Sequence, residues 1–129
     1  MYATDYKISE LMAVCIAREI EDGDTVILGS FTPLAYAAYM LAKVTHAPNM
    51  MYVAYSAVDA RSFQMSFFTS EAAATRGAAA LWSMTECINS IHVKGKGDVE
   101  AVSGAQVDRF GDINISVIGP YDKPIARLP

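Results

Sequence analysis

The chain has 129 residues, 53% apolar and 19% charged, enough to pack one domain and too few for two. Its net charge of −4, with no run of Lys or Arg, excludes the basic surface that nucleic-acid binding needs. No apolar stretch reaches the roughly 18 residues of a membrane span, and Asp5, Lys7 and Glu10 replace the basic-then-apolar order of a signal peptide, so a cytoplasmic protein is expected.

Ile8, Leu11, Met12, Cys15, Ile16 and Ile20 recur at three- and four-residue steps, which predicts an amphipathic helix with this stripe buried. Thr4 or Asp5 is placed to cap its start and Gly23 to close its end. Cys15 is therefore read as a buried free thiol; with Cys87 it forms no disulfide framework. Thr25-Val26-Ile27-Leu28-Gly29 reads as a buried strand, Ser30-Phe31-Thr32-Pro33 as a turn, and about Leu34 to Thr45 as an alanine-rich helix that stops before Pro48. Met50 to Tyr55 is a second strand. Alternating helix and strand predict an α/β fold, an open and mostly parallel sheet with flanking helices, occupying 1–129 as a single domain.

The pattern weakens over Asp59 to Thr69. Ala72 to about Trp82 reads as helix, and Ile91-His92-Val93, Val99 to Ser103 and Ile113 to Ile118 as short strands punctuated by glycines. Glu71 reads as a helix-start carboxylate and Glu86 as an ordinary polar position.

Scattered His and Cys, without CxxC or HExxH, predict no metal site; His46, at a helix end, is read as a partner for exposed carbonyls. The common phosphate loops and the GxSxG elbow are absent. Two segments can meet a ligand. Gly29-Ser30-Phe31-Thr32-Pro33 turns from a strand end into a helix, where open α/β sheets place their crevice, and offers backbone N–H groups and the Thr32 hydroxyl. A tight turn built by Gly and Pro accounts for the same residues. Ser103 to Ser116 gathers small residues with Gln106, Asp108, Asn114 and Ser116. A β-turn at Arg109-Phe110-Gly111-Asp112 joining two strands, with Asp and Asn bonding locally, accounts for much of it.

The stretch GAQVDRFGDINIS at 104–116 resembles the signature of family I CoA transferases, whose smaller halves carry GA-Q-[VI]-D-x-[YF]-G-N-[VIL]-N. Other segments agree in order: Glu10 to Ile20, Asp22-Gly23 and the strand to Gly29; Gly29 to Pro33, with Phe31 where the family's turn has its second glycine; His46-Ala47-Pro48-Asn49; and Lys94 to Val99. Residues 57–90 do not join the resemblance.

The resemblance implies an α/β fold of the CoA-transferase and NagB/RpiA-like type, cut short, since family small subunits continue beyond Arg127-Leu128-Pro129. It implies membership of a heteromeric enzyme moving CoA between carboxylic acids, with acyl-CoA as substrate, an alpha-type subunit or further copies as partner, and no tightly bound cofactor. The implied contact set is Gly29, Ser30, Thr32, Pro33, Ser56, Gly104, Ala105, Gln106, Asp108, Gly111, Asn114 and Ser116. The family's glutamate forms a glutamyl-CoA intermediate, but Tyr55-Ser56-Ala57 stands where its motif is expected, leaving the catalytic residue unassigned. Similar ring-opening CoA-thioester hydrolases lack that glutamate and take it from the partner, so hydrolysis is the alternative. A non-catalytic structural subunit is the third reading.

Overall fold

A computed structural model describes residues 4–29, 32–54, 56–60 and 75–128. The β-branched run Thr25–Leu28 is β1, buried along its whole length, and Met51–Ala54 is β2. Helix α1 spans Ile8–Arg18 and α2 spans Pro33–Thr45, with Pro33 in the first turn as its fixed φ favours. Two short strands, β3 (Ala57–Val58) and β4 (Ala80–Leu81), precede helix α3 (Met84–Cys87), which runs on through a π-helical turn over Ile88–Val93. Strand β5 is Val99–Ala101, and two small hairpins follow: β6 (Gln106–Val107) with β7 (Ile113–Asn114), and β8 (Val117–Ile118) with β9 (Ala126–Arg127).

The main sheet has five strands in the order β4-β3-β2-β1-β5. Strand β1 is parallel to both β2 and β5, whereas β3 and β4 join antiparallel. The expected α/β architecture is present, parallel at its centre and antiparallel at one side. Two residues between β2 and β3 are too few for a parallel crossover, which needs a dozen or more. Side chains alternate between two cores with the strand period. Val26, Leu28, Tyr52, Ala54 and Ala57 face α1 and α2, while Ile27, Val53 and Val58 face Cys87 and Ile91 beyond the other side. Buried Ala35, Ala38 and Ala42 on α2 let α1 pack close through Ala17.

Several expectations change. The stripe is buried only at its end, where Ile16 packs on the core and Ile20 is buried just past the helix; Ile8, Leu11, Met12 and Cys15 are exposed, and Ala17 is the buried residue of α1 itself. The helix turns its alanine side, with Ile16, to α2, a choice that three-residue spacing does not resolve. Lys7, not Thr4 or Asp5, holds the N-cap position, with the Glu10 carboxylate accepting its N–H at 2.6 Å. The cysteine buried among described residues is Cys87. Ala80–Leu81 is strand rather than helix, fixed by antiparallel pairing with β3. Ile91-His92-Val93 is helical because Ser83 and Glu86 form a capping box that starts α3, which makes Glu86 a cap rather than an ordinary polar residue. The Ile113–Ile118 run breaks into two strands where Asn114 turns the chain. Glu71 lies outside the described residues.

Candidate functional site

Parallel strands bring their carboxyl ends to one edge, and the register decides which residues share it. Leu28 pairs with Ala101 and Ile27 with Val53, so the chain leaves the sheet at Gly29, after Ala54 and after Ala101, side by side. From β1 the chain turns through α2 to β2 on one side, while β5, on the other side of β1, is reached from α3 on the opposite face. Such a reversal of winding is where open α/β sheets form their ligand crevice.

Small residues flank this switch point. Gly29 is buried, and a Cβ there would lie 3.1 Å from the Ala101 carbonyl oxygen. Thr32 is also buried; its hydroxyl donates to the Gly29 carbonyl at 2.7 Å, and its own carbonyl accepts the Tyr36 N–H at 3.1 Å. The hydroxyl expected to meet a ligand thus spends its proton on the turn, while Pro33 is exposed at the helix start. Ser56 is half-buried in the β2–β3 turn, donating its N–H to the Ala54 carbonyl and accepting the Trp82 N–H at 2.8 Å. Ser30 and Tyr55 lie outside the described residues. Gly104 follows Ala101 by three residues, a reach of at most about 11 Å.

Beyond it the signature folds on itself. Asp108 organises the hairpin tip: its carboxylate accepts the N–H groups of Phe110 at 2.8 Å and Asp112 at 3.0 Å. Gly111 there has φ +92°, the left-handed conformation that a side chain disfavours. Asn114 donates to the Gln106 side-chain oxygen at 2.7 Å and to the Val117 carbonyl at 2.7 Å, and accepts the Ser116 N–H at 3.0 Å. A Cβ on Gly104 would lie 2.8 Å from the Ile113 side chain, so glycine lets the hairpin cross close. Gln106, Asp108, Gly111, Asn114 and Ser116 are therefore brought together by mutual bonds, as the β-turn account of this segment expects. Around them Val102, Val107, Phe110 and Ile115 are at least 59% exposed, an apolar surface on a polar frame.

Outside the crevice, the HAPN segment docks the α2–β2 turn onto the α1–β1 turn. His46 Nε2 meets the Ile20 carbonyl at 3.0 Å, the role expected of it. The Asp22 carboxylate accepts the Asn49 backbone N–H at 2.7 Å and side-chain amide at 2.9 Å, and these bonds hold its pKa below the usual carboxylate value. An open depression of about 640 Å³ lies near the start of β2, around Lys43 and Asp59. Those two pair at 3.1 Å, and the Lys43 amine also donates to the Met50 carbonyl at 2.7 Å, so its polar groups already hold one another. It is not at the carboxyl edge. Among the described residues no cluster of His, Cys, Asp and Glu fits a metal, and no helix is long and apolar enough to cross a membrane.

The sequence reading missed Tyr39. Its fully buried ring carries a hydroxyl 2.9 Å from the Ile27 carbonyl and 2.9 Å from the Ala101 nitrogen, between β1 and β5. The available signal was a large polar-tipped residue in an alanine-rich helix.

No protein-family model matches the sequence. The B-type component of the 3-oxoadipate CoA-transferase of Pseudomonas knackmussii is 31% identical over 125 residues, covering 96% of this chain and 47% of that protein. The B-type component of the glutaconate CoA-transferase of Acidaminococcus fermentans is 27% identical over 130 residues, covering 97% and 48%. The chain spans about half the length of the curated relatives it matches. The crystal structure of the decarboxylase AibA/AibB superposes with a TM-score of 0.84 at 27% identity, over 97% of this chain and 52% of that one. The crystal structure of glutaconate coenzyme A-transferase from Acidaminococcus fermentans shares the fold, with a TM-score of 0.79 at 23% identity over 98% and 50%. Over nearly all of its length, this chain is a homologue of the B-type components of CoA-transferases.

Proposed function

We propose that the chain is part of a B-type component of a heteromeric enzyme acting on acyl-CoA thioesters, its reaction the transfer of CoA between carboxylic acids. Similarity to two B-type CoA-transferase components across 96% and 97% of the chain carries this reading. The carboxyl-edge crevice supports it. Gly29, Thr32 and Pro33 follow β1, Ser56 follows β2, and Gly104 and Ala105 follow β5 into the Gln106–Ser116 hairpin, so the contact set is drawn from the carboxyl ends of three adjacent strands. Backbone N–H groups at the start of α2 suit the oxyanion that develops when a thioester carbonyl is attacked. An alpha-type chain completes the site, covering the apolar hairpin face.

A second reading has its own observation. The segments leaving the three strand ends, GSFTP, YSA and VSGA, contain no carboxylate. Thioester hydrolysis or ring cleavage, with the nucleophilic or basic glutamate supplied by the partner, fits that composition. The test is co-purification of this chain with the products of adjacent reading frames, followed by assay with acetyl-CoA and succinyl-CoA. Transfer to acetate or succinate supports the first reading, and CoA release without transfer the second. A stable complex inert to acyl-CoA and unable to bind CoA overturns both and leaves a purely structural role.

A further inference from the structure

We infer that Tyr39 is a positioning residue of the crevice, setting the separation of β1 and β5 at the edge where an acyl-CoA lies; this rests on the function proposed above. The register pairs Ile27 with Glu100, so the Ile27 carbonyl and the Ala101 N–H lie on neighbouring strands within one residue of each other. The Tyr39 oxygen sits 2.9 Å from each, donating to the carbonyl and accepting from the amide. A hydroxyl can do both at once, and phenylalanine neither.

The hydroxyl's place is fixed from outside the sheet. The ring is 0% exposed and packs edge-on to Tyr52, with centroids 6.3 Å apart and planes at 63°. Helix α2 therefore holds one oxygen against two strands that lie 12 and 62 positions away in sequence. Both flanks of the crevice start from the groups it holds: Ile27 leads in two residues to Gly29, and Ala101 in three to Gly104. A Cβ at Gly29 would lie 3.1 Å from the Ala101 carbonyl oxygen, so moving Ala101 changes how closely the two chain segments approach at this edge. Burial raises the Tyr39 pKa, keeping the hydroxyl protonated and able to donate.

The test uses the purified complex carrying Tyr39→Phe, beside a complex carrying Ile20→Val. Ile20 is 1% exposed and precedes β1 at the opposite edge, so its shortening weakens the core without touching the crevice. In Tyr39→Phe the Ala101 amide exchanges faster relative to Val99. The KM for succinyl-CoA or acetyl-CoA rises about five- to tenfold, the scale of one buried hydrogen bond, while kcat changes by less than about twofold. Ile20→Val moves neither readout. An unchanged KM or Ala101 exchange in Tyr39→Phe, or an equal KM rise in Ile20→Val, overturns the positioning role and leaves the proposed function standing. A wild-type complex that neither binds nor turns over either CoA ester overturns the proposed function and this inference with it.

Discussion

Replacing Asp108 by Ala separates the local role of the signature hairpin from the stability of the sheet. The carboxylate accepts two backbone N–H groups, from Phe110 at 2.8 Å and Asp112 at 3.0 Å, while the Asp108–Asp112 backbone bond of 3.0 Å closes the same turn. A hydrogen bond to a charged acceptor contributes about 1.5–3 kcal/mol when shielded. Asp108 is exposed, so solvent screening reduces the pair to roughly 1–2 kcal/mol together. Strands β6 and β7 have only two residues each, and such hairpins open locally at little cost. The loss should therefore appear in the hairpin and not in the core. Hydrogen exchange of the Phe110, Gly111 and Asp112 amides should rise about five- to thirtyfold in Asp108→Ala, by the same free-energy scale. Asp108→Asn, which keeps an acceptor oxygen, should fall between. Amides of β1 and β2 and the melting temperature should stay unchanged. Tip exchange equal to wild type would refute the assigned role of the carboxylate; a matching loss of protection in β1 would refute the hairpin's independence.

The other expectations concern the frame. Gly111→Ala should cost about 1–2 kcal/mol through its φ of +92° alone, since nothing lies within 4 Å of the added Cβ; exchange at the hairpin tip reads it. The folded-state pKa of Asp22 is depressed, so its contribution to stability is present above the usual carboxylate value and lost as pH falls through the folded one. Urea midpoints of wild type and Asp22→Asn should therefore converge from about pH 4 downward. A constant gap between them would show that the Asn49 bonds do not set that pKa. Cys15 should react with a thiol reagent in the native state while Cys87, buried and with its pKa pushed up, stays protected until unfolding; equal rates would contradict the packing of α3.

What was legible in the sequence was periodic or local. The run Thr25–Leu28, the stop before Pro48 and the Gly111 turn each carry their signal within a few residues, and each is found. The missed elements take their conformation from residues outside themselves. Ala80–Leu81 is strand because β3 lies beside it, and Ile88–Val93 is helical because the Ser83–Glu86 cap starts a helix that its branched residues alone do not suggest. On α1 both the Ile8–Leu11–Met12–Cys15 face and the alanine face are apolar, and only the smooth surface of α2 chooses between them. In the candidate site, sequence found the residues that leave the strand ends. It missed Tyr39, whose role comes from a strand 62 positions away.

The origin of the nucleophile is the sharpest chemical question the crevice poses. Transfer through a glutamyl-CoA intermediate needs a carboxylate within reach of the thioester, because only a carboxylate forms the acyl anhydride that exchanges the two acids. None stands in GSFTP, YSA or VSGA, and Tyr55 and Ser56 offer a phenol and an alcohol. Glu86 is occupied as a cap, its carboxylate accepting the Ser83 N–H at 2.7 Å, and Glu100 faces His92 at 3.7 Å. A transferase built on this chain should therefore draw its carboxylate from outside these strand-end segments, and the partner is the source we propose. Trapping decides it: the complex is incubated with succinyl-CoA, treated with hydroxylamine and digested, and the hydroxamate is located by mass spectrometry. The label should fall on a glutamate contributed by the partner. Labelling of Glu71 or Glu86 would overturn this expectation and place the nucleophile in the stretch where the resemblance to CoA transferases is lost. Turnover without any label would replace a covalent carboxylate with general-base attack by water.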